Sequence, residues 1–116
     1  MNLKCILAVV EDSLTKKLLK AAREAGATGS TVVTNVRGEG LHRSFGILGL
    51  EITDVRDLLL FLVEESRAQP VLETLARVGK FEQDSGTGIA MQIDVEDALG
   101  IENQMRQISD QPDPSD

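Results

Sequence analysis

Two copies of one strand–helix unit predict an α+β fold of the ferredoxin-like type, a duplicated βαβ sandwich with a four-stranded antiparallel sheet and two helices on one face. The copies span residues 10–26 and 63–79. Each copy is typical of the end of an apolar strand, a capping serine, one helix and a terminating glycine. The identical pairs are Val10/Val63, Glu11/Glu64, Ser13/Ser66, Leu19/Leu72 and Gly26/Gly79.

Length and composition indicate one folded domain with a tail. A chain of 116 residues has room for a single core, which we assign to residues 1–101. From residue 102 the chain loses apolar content and becomes acidic. We therefore expect residues 102–116 to be a disordered tail.

Four segments have the pattern of β-strands. Residues 3–10 and 56–63 are short apolar runs, which favour central buried strands. Residues 31–37 are rich in β-branched side chains, and residues 89–95 alternate apolar with polar. The predicted strands therefore number four, as the duplicated unit requires.

The first helix is predicted between the first two strands. Asp12 and Ser13 offer side-chain oxygens to cap it, and Gly26 ends it in a left-handed conformation. Its buried face is predicted from apolar residues at helical spacing. These are Leu14, Leu18, Ala21, Ala22 and Ala25.

The second helix follows the third strand. Ser66 is predicted to cap it, with Pro70 in its first turn. Its buried stripe is predicted to consist of Val71, Leu72, Leu75 and Val78. A last helical turn is predicted over residues 96–101.

Composition excludes several functions. Nineteen acidic and twelve basic residues give a net charge of −7, and Trp and Tyr are missing, so we expect no nucleic-acid binding. No apolar run reaches the length of a membrane span, and strand sequence starts too early for a signal peptide. Cys5 is the single cysteine, which we interpret as a small core hydrophobe in a cytoplasmic protein.

The residues do not predict an enzyme. The single histidine, His42, lies in a glycine-rich loop, and no Gly-x-Ser-x-Gly nucleophile motif occurs. The acidic pairs Glu11/Asp12 and Glu64/Glu65 each precede a predicted helix, where carboxylates favour the helix dipole. We therefore expect no catalytic residues and no metal site.

The glycine loops carry more information. Residues 38–50 contain four glycines in thirteen positions, which predicts a long loop. Before the fourth strand, Gly86 and Gly88 flank Thr87, and backbone amides freed by glycine can form an anion-binding nest.

Together these segments resemble the PII signal-transduction family of regulators. The resemblance covers residues 3–101 in order and rests on five segments. They are Ala21-Ala-Arg-Glu-Ala-Gly-Ala-Thr-Gly29, Thr31-Val32, Arg37-Gly-Glu-Gly40, Gly86-Thr-Gly-Ile89 and Val95-Glu-Asp-Ala-Leu-Gly-Ile101.

The resemblance implies a homotrimer with an adenine-nucleotide cleft between subunits and a mobile T-loop, residues 38–53, that contacts a target protein. A membrane transporter is a target class by family analogy. By position, the nucleotide would be lined by Thr31, Gly38, Gly40, His42, Val63, Gly86, Thr87, Gly88 and Ile89. The partner-binding loop would present Leu41, Arg43, Ser44, Phe45, Ile47 and Leu48.

Three departures from the family pattern concern the ligand and the loop. The chain has no tyrosine for uridylylation, and its loop is shorter than in the nitrogen regulators. The phosphate-gripping basic residues are replaced by Ile89, Gly100 and Glu102. The effector therefore stays open among ATP, ADP, AMP and cyclic AMP, none of them covalently bound.

Two alternatives remain open at this point. One is a trimer related to the CutA divalent-ion tolerance proteins, supported by Cys5, His42 and three methionines. The other is an adaptor whose loop binds its target without any ligand.

Overall fold

The computed structural model describes residues 2–37, 55–84 and 86–101. The strands in these ranges are β1 (Leu3–Glu11), β2 (Thr31–Arg37), β3 (Val55–Glu64) and β4 (Gly88–Asp94), and the α-helices are α1 (Thr15–Glu24) and α2 (Glu65–Val78). The strands form one antiparallel sheet in the order β2-β3-β1-β4. The ferredoxin-like α+β prediction is confirmed, and the predicted strand ends are right to within one residue.

The core lies between the two helices and one face of the sheet. Side chains alternate between faces along a strand, so every second residue of β1 and β3 points toward the helices. These residues and the inner faces of the helices form one cluster in which every side chain is almost completely buried. Its largest members are Ile6, Val10, Leu18, Leu59, Phe61, Val63, Val71 and Leu75. Leu14, Ala25, Leu72 and Val78 of the predicted stripes are half-buried against it.

The capping predictions are wrong. Among the described residues, neither helix has a side-chain capping hydrogen bond at its N-terminus. Asp12 and Ser13 lie in a 3₁₀ turn that precedes α1. Ser66 lies inside α2, and its hydroxyl donates to a carboxylate oxygen of Glu64 at 2.5 Å. The free amide of Glu65 instead donates to the backbone carbonyl of Asn2 at 2.9 Å, so tertiary contact replaces the cap.

The two glycines that end the helices do so for different reasons. Gly26 has φ 122°, a conformation that favours glycine, which confirms the prediction. Gly79 has φ −83°, and Lys80 takes the left-handed conformation with φ 56°. A Cβ atom on Gly79 would lie 2.4 Å from Cε1 of Phe81. Gly79 is therefore required by the close approach of an aromatic ring.

Two further predictions of helical structure are wrong. Pro70 is the sixth residue of α2 and lies in its second turn, not its first. Residues 96–101 form no helix, and Gly100 has φ 86°. Leu99 is 91% exposed, so its side chain provides no packing that would stabilise a helix in this segment.

The second face of the sheet is also apolar, and no described helix covers it. Ile89, Met91 and Ile93 of β4 are 44–57% exposed on this face. On β1 and β3 the same face is formed by half-buried residues, namely Cys5, Leu7, Val9, Leu58, Leu60 and Leu62. Cys5 therefore lies on this open face and not in the helix-covered core, which corrects its interpretation as a core residue. Burial raises the pKa of its thiol.

Candidate functional site

The glycine turn at residues 86–88 is held at one end of the sheet by backbone contacts. Gly86 has φ 82°, which a residue with a side chain rarely adopts. The carbonyl of Thr87 accepts a hydrogen bond from the amide of Glu11 at 3.0 Å. The hydroxyl of Thr87 lies 3.3 Å from the carbonyl of Lys80 and 3.2 Å from that of Asp84. The turn is therefore tied both to β1 and to the segment that follows α2.

An aromatic ring fixes the last residue of this turn. A Cβ atom on Gly88 would lie 2.4 Å from Cε1 of Phe81, the same atom that excludes a side chain at Gly79. Phe81 packs between these two glycines. Replacing Gly88 by valine would displace the ring, so that variant would test packing as much as ligand binding.

Arg56 connects the turn to the start of β3. Its guanidinium donates a hydrogen bond to the carbonyl of Gly86. Arg56 is the second residue of the strand that follows residues 38–54, and its register partner on β1 is Glu11. The side chain of Arg56 therefore links the start of β3 to the turn. Neither Arg56 nor Phe81 was predicted as a site residue, because the contacts that make them matter join distant parts of the sequence.

A groove of about 480 Å³ lies beside the turn, between α2 and the edge strand β4. Its size falls in the range of small-molecule sites. Aliphatic side chains and the ring of Phe81 line it, and Glu73 and Glu82 supply its charged groups. The other lining residues are Leu72, Ala76, Gly88, Ile89 and Ala90.

A second concavity, of about 420 Å³, lies at the opposite side of the sheet, where β2 begins. Gly29, Ser30 and Thr31 form one wall of it. The opposite wall consists of residues on β1 and β3, namely Cys5, Leu60, Phe61 and Leu62. Thr31 is exposed, so its hydroxyl is accessible from solvent.

The structure brings together only part of the predicted nucleotide set. Gly86, Thr87, Gly88 and Ile89 form one continuous segment, and Ile89 is 57% exposed. Thr31 lies on β2, across three strand spacings or about 14 Å of sheet.

Val63 lies elsewhere again. Its side chain is 1% exposed in the core. Its partner on β1 is Lys4, whereas the partner of Gly88 on β1 is Val10. These two partners are six residues apart, which corresponds to about 20 Å along the strand. One copy of the chain therefore does not gather these residues into one pocket.

The remaining predicted site residues lie outside the described residues. This applies to Gly38, Gly40 and His42 of the nucleotide set and to the whole partner-binding loop. The predicted tail at residues 102–116 lies outside them as well.

An ion pair fastens the far end of the sheet. Lys4 on β1 pairs with Asp94 on β4, and a carboxylate oxygen of Glu65 lies 3.9 Å from the ammonium nitrogen of Lys4. The hydrogen bond to Asp94 and the charges of both carboxylates raise the pKa of Lys4, although partial desolvation opposes them. This cluster links β4 to β1 at the end of the sheet opposite the glycine turn.

Within residues 2–37, 55–84 and 86–101, no group of three or more His, Cys, Asp or Glu residues is placed to hold a metal ion. In the same ranges, no helix is long and apolar enough to cross a membrane.

Comparison with solved structures finds proteins of the same architecture. A PII-like signalling protein from Thermus thermophilus is 28% identical, with a TM-score of 0.61 over 82% of this chain and 88% of that one. CPII from Thiomonas intermedia, bound to ADP, AMP and acetate, is 26% identical, with a TM-score of 0.61 over 83% and 90% of the two chains. GlnK from B. subtilis shares the fold at 21% identity, with a TM-score of 0.65 over 87% and 91%.

Comparison with protein families agrees with this result. No curated protein matched the sequence. The family described as nitrogen regulatory protein P-II matches residues 3–105, which is most of the chain. The chain therefore belongs to the P-II family of signalling proteins.

Proposed function

We propose that this protein is a trimeric regulator that binds an adenine nucleotide between its subunits and controls a target protein through residues 38–53. The observation that carries the proposal is the separation of the glycine turn from Thr31, which we call the two nucleotide half-sites. The glycine turn belongs to the β4 side of the sheet and Thr31 to the β2 side. A ligand that contacts both has to lie between two copies.

Symmetry supports a ring of copies. When two different surfaces of one chain meet, the contact is heterologous, and it gives a closed ring if the rotation between copies closes. Such a contact would place the β4 side of one copy against the β2 side of the next. The ring would then cover the apolar open face. A large apolar patch on a protein surface usually marks an interaction site.

The choice of nucleotide follows from charge. CPII binds ADP and AMP, which favours an adenine nucleotide here. The basic residues with which the family usually grips phosphate are replaced by Ile89, Gly100 and Glu102. Hydrogen bonds to charged groups contribute about 1.5–3 kcal/mol each. Losing three would remove roughly 4–9 kcal/mol, against about 8 kcal/mol for micromolar binding. We therefore favour AMP, ADP or cyclic AMP over ATP.

The control of a target would use the connection between turn and loop. Arg56 contacts Gly86 and is separated from residues 38–54 by Val55 alone. A nucleotide bound against the turn would favour one of two conformations of the loop that precedes Arg56. Such a shift between two states is how a ligand controls a regulatory element. Leu41, Phe45, Ile47 and Leu48 would form the apolar contact surface for the target, with Arg43 and Ser44 at its rim.

Calorimetric titration of the purified protein with ATP, ADP, AMP and cyclic AMP, with and without magnesium, tests the proposal. We expect saturable binding near one nucleotide per subunit. Thr31→Val should weaken binding about fivefold, because it removes one hydrogen bond of about 1 kcal/mol. Thr34→Val, an exposed position on the same strand, is the matched control and should bind normally. Absence of heat with every nucleotide would favour the ligand-independent adaptor.

A further inference from the structure

Helix α1 carries a cationic surface on an otherwise acidic protein. Lys16, Lys17, Lys20 and Arg23 are all exposed, and Glu24 is the single acidic residue of the helix. The helix therefore has a net charge of +3, whereas the whole chain has −7. Lys16, Lys20 and Arg23 follow the i, i+4, i+7 spacing, so they form one stripe about 10 Å long. We call these three residues the cationic stripe.

Part of this positive charge works against the stability of α1 itself. Lys16 and Lys17 lie in the first turn of α1, where the helix dipole disfavours positive charge. Lys16 and Lys20 form a like-charge pair at i, i+4 spacing, which is also unfavourable. Within the part of the chain that the structure describes, no ion pair joins any of the four cations to a carboxylate. Local stability therefore does not explain Lys16 and Lys17, whereas Arg23 lies in the last turn, where the helix dipole favours a cation.

The internal duplication provides a control. The positions of α2 that correspond to Lys16, Lys17, Lys20 and Arg23 are Gln69, Pro70, Glu73 and Ala76. Helix α2 packs on the same face of the sheet with two acidic and two basic residues. The architecture therefore does not require cations at these positions, and the stripe is a property of α1 alone.

We propose that the cationic stripe is a docking surface for a carboxylate-rich segment of a partner protein. Charge complementarity favours this occupant, because a narrow acidic segment meets the stripe without approaching the negative remainder of the surface. Arg23 also borders a hollow of about 140 Å³, which accommodates a side chain of the bound segment. The hollow shares Gly29 and Ser30 with the concavity beside Thr31, so the partner would end next to the proposed nucleotide half-site.

An anionic membrane fits this surface less well. Membrane-surface helices insert an apolar face among the lipids. Leu18 and Ala22, on the apolar face of α1, are 0% exposed in the core, so they are committed to packing. The net charge of −7 would also oppose the approach of a large anionic surface.

The test uses a fluorescein-labelled helical peptide with glutamates at i, i+4 and i+7 and alanines elsewhere, with a glutamine version as control. Fluorescence anisotropy with the full-length protein should show binding that weakens as ionic strength rises. The triple variant Lys16→Gln/Lys20→Gln/Arg23→Gln should lose about tenfold in affinity. Arg77→Gln, an exposed cation on α2, is the matched control and should change affinity less than about twofold.

Three outcomes would overturn the proposal. Equal peptide affinity in the triple variant and the wild type would show that the stripe does not bind the peptide. Stripe-dependent binding to phosphatidylserine vesicles without peptide binding would assign the surface to membranes. Peptide affinity that rises about tenfold when Asp110, Asp113 and Asp116 are changed to Asn would make the chain's own acidic segment the occupant. Nucleotide titration of the triple variant should match the unchanged protein, so failure here is distinguishable from failure of the proposed function.

Discussion

Ile89 is the residue at which the proposed ligand preference can be tested most directly. It follows the glycine turn directly and is 57% exposed, so its side chain is accessible from solvent beside the turn. The resemblance noted in the sequence implies a phosphate-gripping lysine at this position. A hydrocarbon side chain there would leave the phosphate groups of the proposed nucleotide without that cation.

Ile89→Lys should restore tight binding of ATP. A hydrogen bond to a charged group contributes about 1.5–3 kcal/mol, so we expect ATP affinity to rise about 10- to 100-fold, with a smaller gain for AMP. Isothermal titration calorimetry measures both affinities. Ile89→Gln provides a polar side chain without charge and should give little gain. Unchanged ATP affinity in the lysine variant would move the phosphates away from this position.

Glycine positions show what residue patterns leave open. The sequence correctly marks residues 86–88 as a turn that needs glycine. It does not reveal that Gly79 and Gly88 are both needed because the ring of Phe81 packs between them. That requirement follows from a contact between residues on two different elements, and no local pattern encodes it.

At the scale of elements, tertiary contacts replaced the predicted local caps. Helix α2 starts directly at the end of β3, and the amide of Glu65 donates to Asn2, which precedes β1. Lys4 lies beside this junction and pairs with Asp94 of β4. The start of α2 and the pairing of β4 with β1 are therefore fastened at the same end of the sheet.

The ion pair of Lys4 should make the stability of the fold depend on pH in the alkaline range. Its pKa is raised above the ordinary value of 10.5 in the folded protein. The pair therefore stabilises the fold from neutral pH up to 10.5, and this stabilisation is lost as pH rises through the folded pKa.

Chemical denaturation of the wild type and of Asp94→Asn across this range checks the prediction. The stability difference between the two proteins should be constant at neutral pH and should shrink at strongly alkaline pH. Glu82→Gln, an exposed carboxylate in the segment after α2, is the control for a general effect of charge. A stability difference between the two proteins that stays unchanged above the pKa of Lys4 would contradict this account.

At the scale of the whole molecule, the open apolar face is the main feature that a single copy leaves unexplained. Met91 lies at the centre of β4, pairs with Leu7 and is 44% exposed on this face. Ile89 and Ile93 flank it at the same face. A protein with this face uncovered would carry a continuous apolar patch in water, so association of copies is the expected consequence.

Met91→Glu should prevent assembly without unfolding the subunit. The charge would be exposed in a single copy, but it would be buried without a partner in the proposed trimer. Light scattering during size-exclusion chromatography should give three times 12.6 kDa for the wild type and 12.6 kDa for the variant. Met91→Leu keeps the apolar volume and should assemble normally. A trimer of the glutamate variant would locate the interface elsewhere.

Local sequence patterns were enough to establish the fold class, the four strands and the two helices, because hydrophobic periodicity and the internal duplication are properties of neighbouring residues. Contacts between distant segments emerged only in the folded chain. Folding placed Arg56 against Gly86, Phe81 between two glycines, and Thr31 across the sheet from the glycine turn. These relations depend on strand order and register, which are fixed only when the sheet assembles.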